Sequence, residues 1–331
     1  MHTHVAPYGL PLLHALMDRY GVTHVVNLSG LSPGHGLEVQ LGAARQSGRI
    51  TVFCNLDWRA PDPARFAGDQ VALLRQAKGM GARGLKIPKG LGLGFVWTDG
   101  RLIAVDDPAL DPIFEEAGRL GLPIAIHTGD PKAFWQEPTE KNERYDELGA
   151  HPAWSFFGQP VPSWQELFDA YARRVARHPK TKFIGVHFGN DPEDPDEVGR
   201  MLARLPNLYV DTAARVPEIG RRKARDVFER YSDRILFGTD LAVGRGREDL
   251  MLGSSGTEPP GDADVERFFL SHWRYFETRD KQFDHPTPIQ GRWKIDGIGL
   301  SREVLEQIYW KNAARLLGIT LGAQSERGKN L

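Results

Sequence analysis

The sequence holds a single cysteine, Cys54, in 331 residues. That excludes an intramolecular disulfide framework and suits a reducing compartment. No apolar run approaches the ~20 residues that span a bilayer. The start, Met-His-Thr-His, lacks the basic segment followed by an apolar one that marks a secretory signal. Charge of one sign is also missing: 42 Lys and Arg face 43 Asp and Glu, a formal net charge of −1. A basic footprint for nucleic acid or an anionic membrane is therefore absent. There is no internal repeat and no low-complexity segment. The 40% hydrophobic and 26% charged content is that of an ordinary globular protein, long enough to bury a large core unaided. These absences predict a cytoplasmic protein whose partner is a small molecule, with neither nucleic acid nor membrane. Aromatic residues in the long loops make a homodimer an open expectation.

What is present is an alternation of short apolar runs with longer amphipathic ones. Seven runs read as buried parallel strands: 22–29 (VTHVVNLS), 49–57 (RITVFCNLD), 82–88 (ARGLKIP), 122–128 (LPIAIHT), 182–188 (KFIGVHF), 208–212 (LYVDT) and 234–240 (RILFGTD). Helical periods fall at 11–20, 64–79, 108–121, 163–178, 222–231 and 301–317. Ser163 with Glu166 three residues on forms a capping box, and Pro179 stops that helix. Seven strands alternating with helices predict a (β/α)8 barrel over 1–320, with a flexible tail at 321–331. The eighth strand must come from 1–5, either as a stub or as the end of a strand that begins upstream of Met1. Three long connections, 89–107, 129–162 and 241–299, follow strands and so belong to the C-terminal face, where barrel active sites lie.

The strand ends carry the chemistry. His2 and His4, two apart, share one face of a strand. Lys86 lies near a strand end, and His127, His187 and Asp240 each close one. Such residues are poor strand formers, and in a barrel these ends converge. Several imidazoles with a carboxylate make a site for Zn²⁺ or another divalent ion such as Mn²⁺. Asp211 ends a strand too, where it either orients a ligand histidine or makes an ordinary buried hydrogen bond. Arg215 is a candidate carboxylate anchor by a bidentate pair. Trp135 and His285 are candidate substrate contacts from the long loops. The glycines at 90, 92 and 94 read GLGLG rather than the GxGxxG of a dinucleotide loop.

The ordered set of MHTH (1–4), GLKI (84–87), IAIHTGD (124–130), FIGVHFGN (183–190) and ILFGTD (235–240) resembles the amidohydrolase superfamily. It is most similar to the amidohydrolase-2 family, which includes aminocarboxymuconate-semialdehyde decarboxylase. The ending LEQIYWKNAARLLGI (305–319) looks like that family's C-terminal helix. The resemblance implies a TIM barrel in which His2, His4, His127 and Asp240 bind one metal, with His187 and Asp240 as the catalytic groups. It also leaves a second metal open, bridged by Lys86 with His187 as a ligand. The family usually has an acidic residue two positions before the first histidine; this chain has no residue there. The implied activity is hydrolysis of a small carboxylic amide, ester or lactone by a metal-activated water. Non-oxidative decarboxylation of an aromatic or unsaturated acid needs the same parts, and a catalytically silent binding barrel is the third alternative.

Overall fold

The computed structural model describes residues 1–256 and 258–320. The tail expected over 321–331 lies outside them. Seven parallel strands follow in chain order: β1 His2–Val5, β2 Val25–Asn27, β3 Ile50–Asn55, β4 Gly84–Ile87, β5 Ile124–Ile126, β6 Phe183–Gly185 and β7 Leu208–Asp211. The ring closes through one stretch that pairs in two pieces. Its first piece, β8 Ile235–Leu236, lies on β7, and its second, β9 Leu241–Val243, lies parallel to β1. A short antiparallel strand, β10 Met251–Leu252, extends the sheet beyond β9. The fold is the expected (β/α)8 barrel.

Two runs end earlier than the sequence suggests. The one expected over 182–188 stops at Gly185, and the one over 234–240 is interrupted after Leu236. In both, the chain turns into the left-handed region where the site residues stand. Among the described residues, three α-helices of ten or more residues are additional to the expected set. Leu37–Ser47 starts at Gly36 without a side-chain cap and so gives no start signal. Pro195–Arg204 does carry one: the Asp194 side chain accepts from Glu197 N–H, and Pro195 opens the helix. Asp262–Glu277 lies within the longest connection, which is thus partly helical. The capping box at Ser163 forms as read, opening the helix Trp164–Arg177.

The core has two shells. Outside the ring, strand residues such as Leu85, Ile87 and Ile124 pack against helix residues such as Phe114 and Leu167. Inside the ring the filling is sparse: Val26, Phe53, Ala125, Ile184 and Leu236, sealed by Leu317 from the last helix. Phe53 explains Gly84 on the neighbouring strand. A Cβ added at Gly84 would lie about 2.4 Å from the Phe53 ring, a distance no side chain tolerates. Burying that ring stabilises the barrel by roughly 3 kcal/mol. This apolar plug leaves the C-terminal mouth as the place for polar side chains. Among the described residues, no helix is long and apolar enough to cross a membrane.

The long connections are stitched together near that mouth. His151 Nε2 lies 2.7 Å from the Ser255 carbonyl. Ser254 donates to Glu147 at 2.5 Å, and Arg292 makes a forked pair with Asp146.

Candidate metal centre

β1 presents His2 and His4 on one face, while the Thr3 hydroxyl turns away to donate to the Val26 carbonyl at 2.9 Å. The strand is only four residues long and is held by more than its ladder. The Asn27 carboxamide accepts from Val5 N–H and donates to the Val5 carbonyl, both at 3.0 Å. On the other side, Gly238 lets the interrupted final strand pass close to His2. A Cβ there would meet His2 Cβ at 3.1 Å.

Hydrogen bonds fix how the two rings face. His2 Nδ1 lies 2.9 Å from Asp211 Oδ2, so Nδ1–H donates to the carboxylate and Nε2 keeps its lone pair. His4 Nδ1 is 2.6 Å from Ser29 Oγ. Both Nε2 atoms then point at Asp240 Oδ1, each at 3.2 Å. Neither contact is a well-directed hydrogen bond, and Asp240 Oδ1 is buried without a hydrogen-bond partner.

His187 is held by backbone geometry of an unusual kind. His187, Phe188, Gly189 and Asn190 all have positive φ, at 56°, 57°, 67° and 67°. This is a single left-handed turn, a conformation costing about 1–2 kcal/mol per non-glycine residue. Such strain persists only where surrounding contacts over-determine it. Here they do. Asp211 Oδ1 accepts His187 N–H at 2.8 Å and Ala213 N–H at 3.1 Å. The His187 ring donates Nδ1–H to the Ala213 carbonyl at 2.8 Å, leaving Nε2 with its lone pair. Asn190 Oδ1 accepts Thr128 N–H at 2.9 Å, which ties the turn to β5. Asp240 repeats the theme at φ 61°, its N–H donating to the His2 carbonyl at 3.0 Å. The buried Asp211 carboxylate therefore orients one imidazole through its ring and another through its backbone.

The opposite side contributes His127 and Lys86. The His127 ring lies 4.3 Å from that of His187, centroid to centroid, and His2 lies 5.1 Å from His187. Among the described residues, His127 Nε2 and Lys86 Nζ, like Asp240 Oδ1, have no hydrogen-bond partner, and both are buried. Among the described residues, His2, His187 and Asp240 each offer a donor atom within 4.8 Å of the other two.

Burial favours the neutral form of His2, His127 and His187. Burial pushes His127 and His187 well below the usual histidine range, and the Arg215 guanidinium lowers both further. Burial pushes the Lys86 ammonium down to about 8, against the pull of Asp240 and Asp211. For Asp240, burial works toward protonation, yet the neighbouring His2 and His4 rings outweigh it and hold the carboxyl well below its usual range. Neutral nitrogens are thus favoured at His2, His127 and His187, beside an ionised Asp240.

That donor set fits a divalent ion. Imidazole nitrogens and a carboxylate are the ligands of catalytic zinc sites. Around a tetrahedral ion with bonds of ~2.0–2.2 Å, neighbouring donors lie ~3.3–3.6 Å apart. The 3.2 Å separations at Asp240 Oδ1 are close to this spacing. An unpartnered buried carboxylate oxygen is otherwise expensive, because it has lost water without gaining a donor.

The remaining candidates are placed as follows. Arg215 is buried beside the histidines. Among the described residues its only hydrogen bond is to the adjacent Ala214 carbonyl at 3.2 Å, and Glu218 is 3.7 Å away. Glu218 itself is taken by the buried Arg144. The Trp135 indole donates to the Pro162 carbonyl and its ring packs on Phe156. His285 is buried with both ring nitrogens bonded to backbone, to Gly291 and Thr287. Two supporting residues, Ser29 and Asn190, escaped the sequence reading. Ser29 carries no signal, whereas Asn190 follows Phe-Gly after a strand, a context that suits a left-handed turn.

Comparison with known proteins adds the following. The amidohydrolase-2 family model, described as Amidohydrolase, matches residues 6–319. The match begins after His2 and His4. An uncharacterized TIM-barrel protein from Bordetella bronchiseptica superposes with a TM-score of 0.56 at 17% identity, covering 93% of this chain and 82% of that one. The 2,6-dihydroxybenzoate decarboxylase from Rhizobium gives 0.53 at 16%, covering 96% and 97%. A putative amidohydrolase from Staphylococcus aureus gives 0.52 at 17%, covering 96% and 98%. No curated protein matches the chain at a significant level.

Proposed function

The chain belongs to the amidohydrolase-2 family, and on that premise we propose that it is a metal-dependent hydrolase of a small-molecule amide, ester or lactone. The observation that carries this reading is the convergence of His2 Nε2 and His4 Nε2 on the unpartnered Asp240 Oδ1. His2, His4, His127 and Asp240 would hold one divalent ion, zinc or alternatively manganese. Bound there, the ion's chemistry is Lewis acidity, which brings water to a pKa of about 7 and polarises a carbonyl.

The protein's own groups do the rest. Asp240, ionised and aimed into the cluster, takes a proton from the attacking water and returns it to the leaving group. His187 presents a neutral Nε2, set by its Nδ1–H bond to Ala213, to accept a hydrogen bond from the attacking water. Arg215 has a guanidinium fork only partly used, which suits a substrate carboxylate. Lys86 Nζ, buried and unpartnered, is a second site for the same anion or the bridge of a second ion.

The two uncommitted cations also favour a second reading, non-oxidative decarboxylation of an aromatic or unsaturated acid. The carboxylate they hold would then be the group that leaves. The Rhizobium decarboxylase shares this fold. Carbon dioxide release without consumption of water separates the two reactions.

The first test is metal content per chain, measured on protein purified without chelators or a histidine tag. About one ion per chain supports the His2, His4, His127, Asp240 set; about two moves Lys86 and His187 into it. No metal, even after re-addition, overturns the enzymatic reading in favour of a silent barrel. His187→Ala is expected to lose at least ~100-fold in turnover and keep its metal. Loss of the metal in that variant would make His187 a ligand instead.

A further inference from the structure

The inner atoms of the centre are closed off: Lys86 Nζ, His127 Nε2 and Asp240 Oδ1 have no contact with solvent. His4 differs, with a side chain 33% exposed. At His4 and Ser29 the centre meets a groove of about 1020 Å³. This volume lies at the top of the ~300–1,000 Å³ range of pockets that enclose a whole organic ligand. An acetyl-sized substrate would use only a small part of it.

The groove has a consistent chemistry. Its walls include Pro7, Tyr8, Leu31, Met251, Pro288 and Ile289. Tyr8, Leu31 and Met251 are among the most exposed large apolar side chains of the described molecule, so three of these gather on one surface. Contiguous exposed apolar surface of this kind marks a binding groove. The charges along it are of one sign. Glu248, Asp249, Glu258 and Asp264 line it with a single cation, Arg267, which is drawn onto Asp264 at 2.5 Å. The centre end, by contrast, has Arg215 and Lys86 behind it.

We infer that this groove holds the uncharged apolar tail of the substrate, an alkyl or acyl chain whose carboxyl-derived end reacts at His4 and Asp240. The inference takes the reacting group from the function proposed above and adds the rest of the molecule. Polarity is built in: an anionic head faces the buried cations, and a second anionic group in the groove meets Glu248, Asp249 and Glu258. Monocarboxylic chains are thus preferred to dicarboxylic chains of equal length.

Met251 is a built-in reporter, the one methionine of five that lines the groove. Methyl NMR of protein labelled at its methionine methyl carbons reads binding without turnover. Decanoate should shift the Met251 resonance, acetate should not, and affinity should rise roughly 3–4-fold per methylene beyond hexanoate, the equivalent of ~0.8 kcal/mol per buried methylene. Decanedioate should bind at least ten-fold more weakly than decanoate. Ile289→Glu should erase the dependence on length while metal content stays that of the unaltered chain. Equal binding of acetate and decanoate overturns the inference. So does a Met251 resonance that moves with protein concentration alone, since that would seat a second copy in the groove. If no ester is hydrolysed yet the length dependence holds, the proposed reaction fails and the groove assignment stands.

Discussion

The barrel has a wall and a seam, and they differ in kind. The wall, β3 to β5, is regular: its ladders run unbroken, its outward residues are fully buried, and its backbone stays in the ordinary extended region. The seam runs from the exit of β6 through β7 and the split final strand to β1. There the ladder is interrupted, the chain enters the left-handed region at His187, Phe188, Asn190 and Asp240, and on the β2 side of Val5 a carboxamide takes the place of backbone pairing. His2, His4, His187, Asp211 and Asp240 all belong to the seam. The wall supplies only Lys86 and His127. Side chains that must converge on one point need backbone directions a regular strand does not offer. The seam accepts strain and offsets it with buried hydrogen bonds and packing, such as the stacking of Phe188 on Phe228.

That contrast can be tested from both sides. The largest effect is expected in the seam: Asp240→Asn should lower turnover by more than ~10³-fold and metal content toward zero. A variant that keeps its metal would break the assignment of this carboxylate. In the wall, Leu85→Ala should cost about 2–5 kcal/mol by urea denaturation, because it opens a cavity among fully buried neighbours. Its metal content should be unchanged, and a lost ion would show that wall and seam are not separable. Asp211→Asn keeps the shape but removes the charge that orients His2. Metal affinity, measured by competition with a chromophoric chelator, should fall about 10–100-fold.

A smaller effect sharpens the comparison through pH. His272, on the helix inserted after the final strand, is buried, and burial pushes its pKa down to about 4. Its ordinary value is 6.5. The unfolded chain therefore binds the proton first as pH falls, and the stability contributed by neutral His272 is lost from pH 6.5 downward toward 4. Between pH 6.5 and 5.5 this amounts to about 1 kcal/mol. A plot of unfolding free energy against pH should be shallower by that much in His272→Gln; an identical slope would remove His272 from the account.

Much of the wall was legible in the sequence, because a strand buried on both faces writes itself as a continuous apolar run. The seam was legible in composition but not in conformation. Histidine and aspartate at 127, 187 and 240 stood out against their apolar neighbours, and the two-residue spacing of His2 and His4 fixed a shared face. That His187 and Asp240 stand beyond their strands, in left-handed turns, has no periodic signal. The turns depend on partners distant in sequence: Asp211 accepts His187 N–H, and the His2 carbonyl accepts Asp240 N–H. Gly84 and Gly238 show the same limit. Each is glycine because of a partner from another strand, Phe53 and His2, and no local pattern announces that. The helix Leu37–Ser47 escaped for a different reason, its start being a glycine rather than a capping side chain.

The two-piece closure has a consequence for how the protein comes into being. Thr3 pairs with Leu241, so about three-quarters of the described chain lies between the two edges that must meet. Forming this contact means closing a very long loop, which makes it a slow and late event in folding. His2 and Asp240 become neighbours only at that moment. A chain still emerging from the ribosome, or a barrel stalled one strand short, has no complete cluster to capture an ion. Acquisition of metal thus reports the last act of folding, and an ion that binds the closed ring but not the open one would lock it shut by mass action.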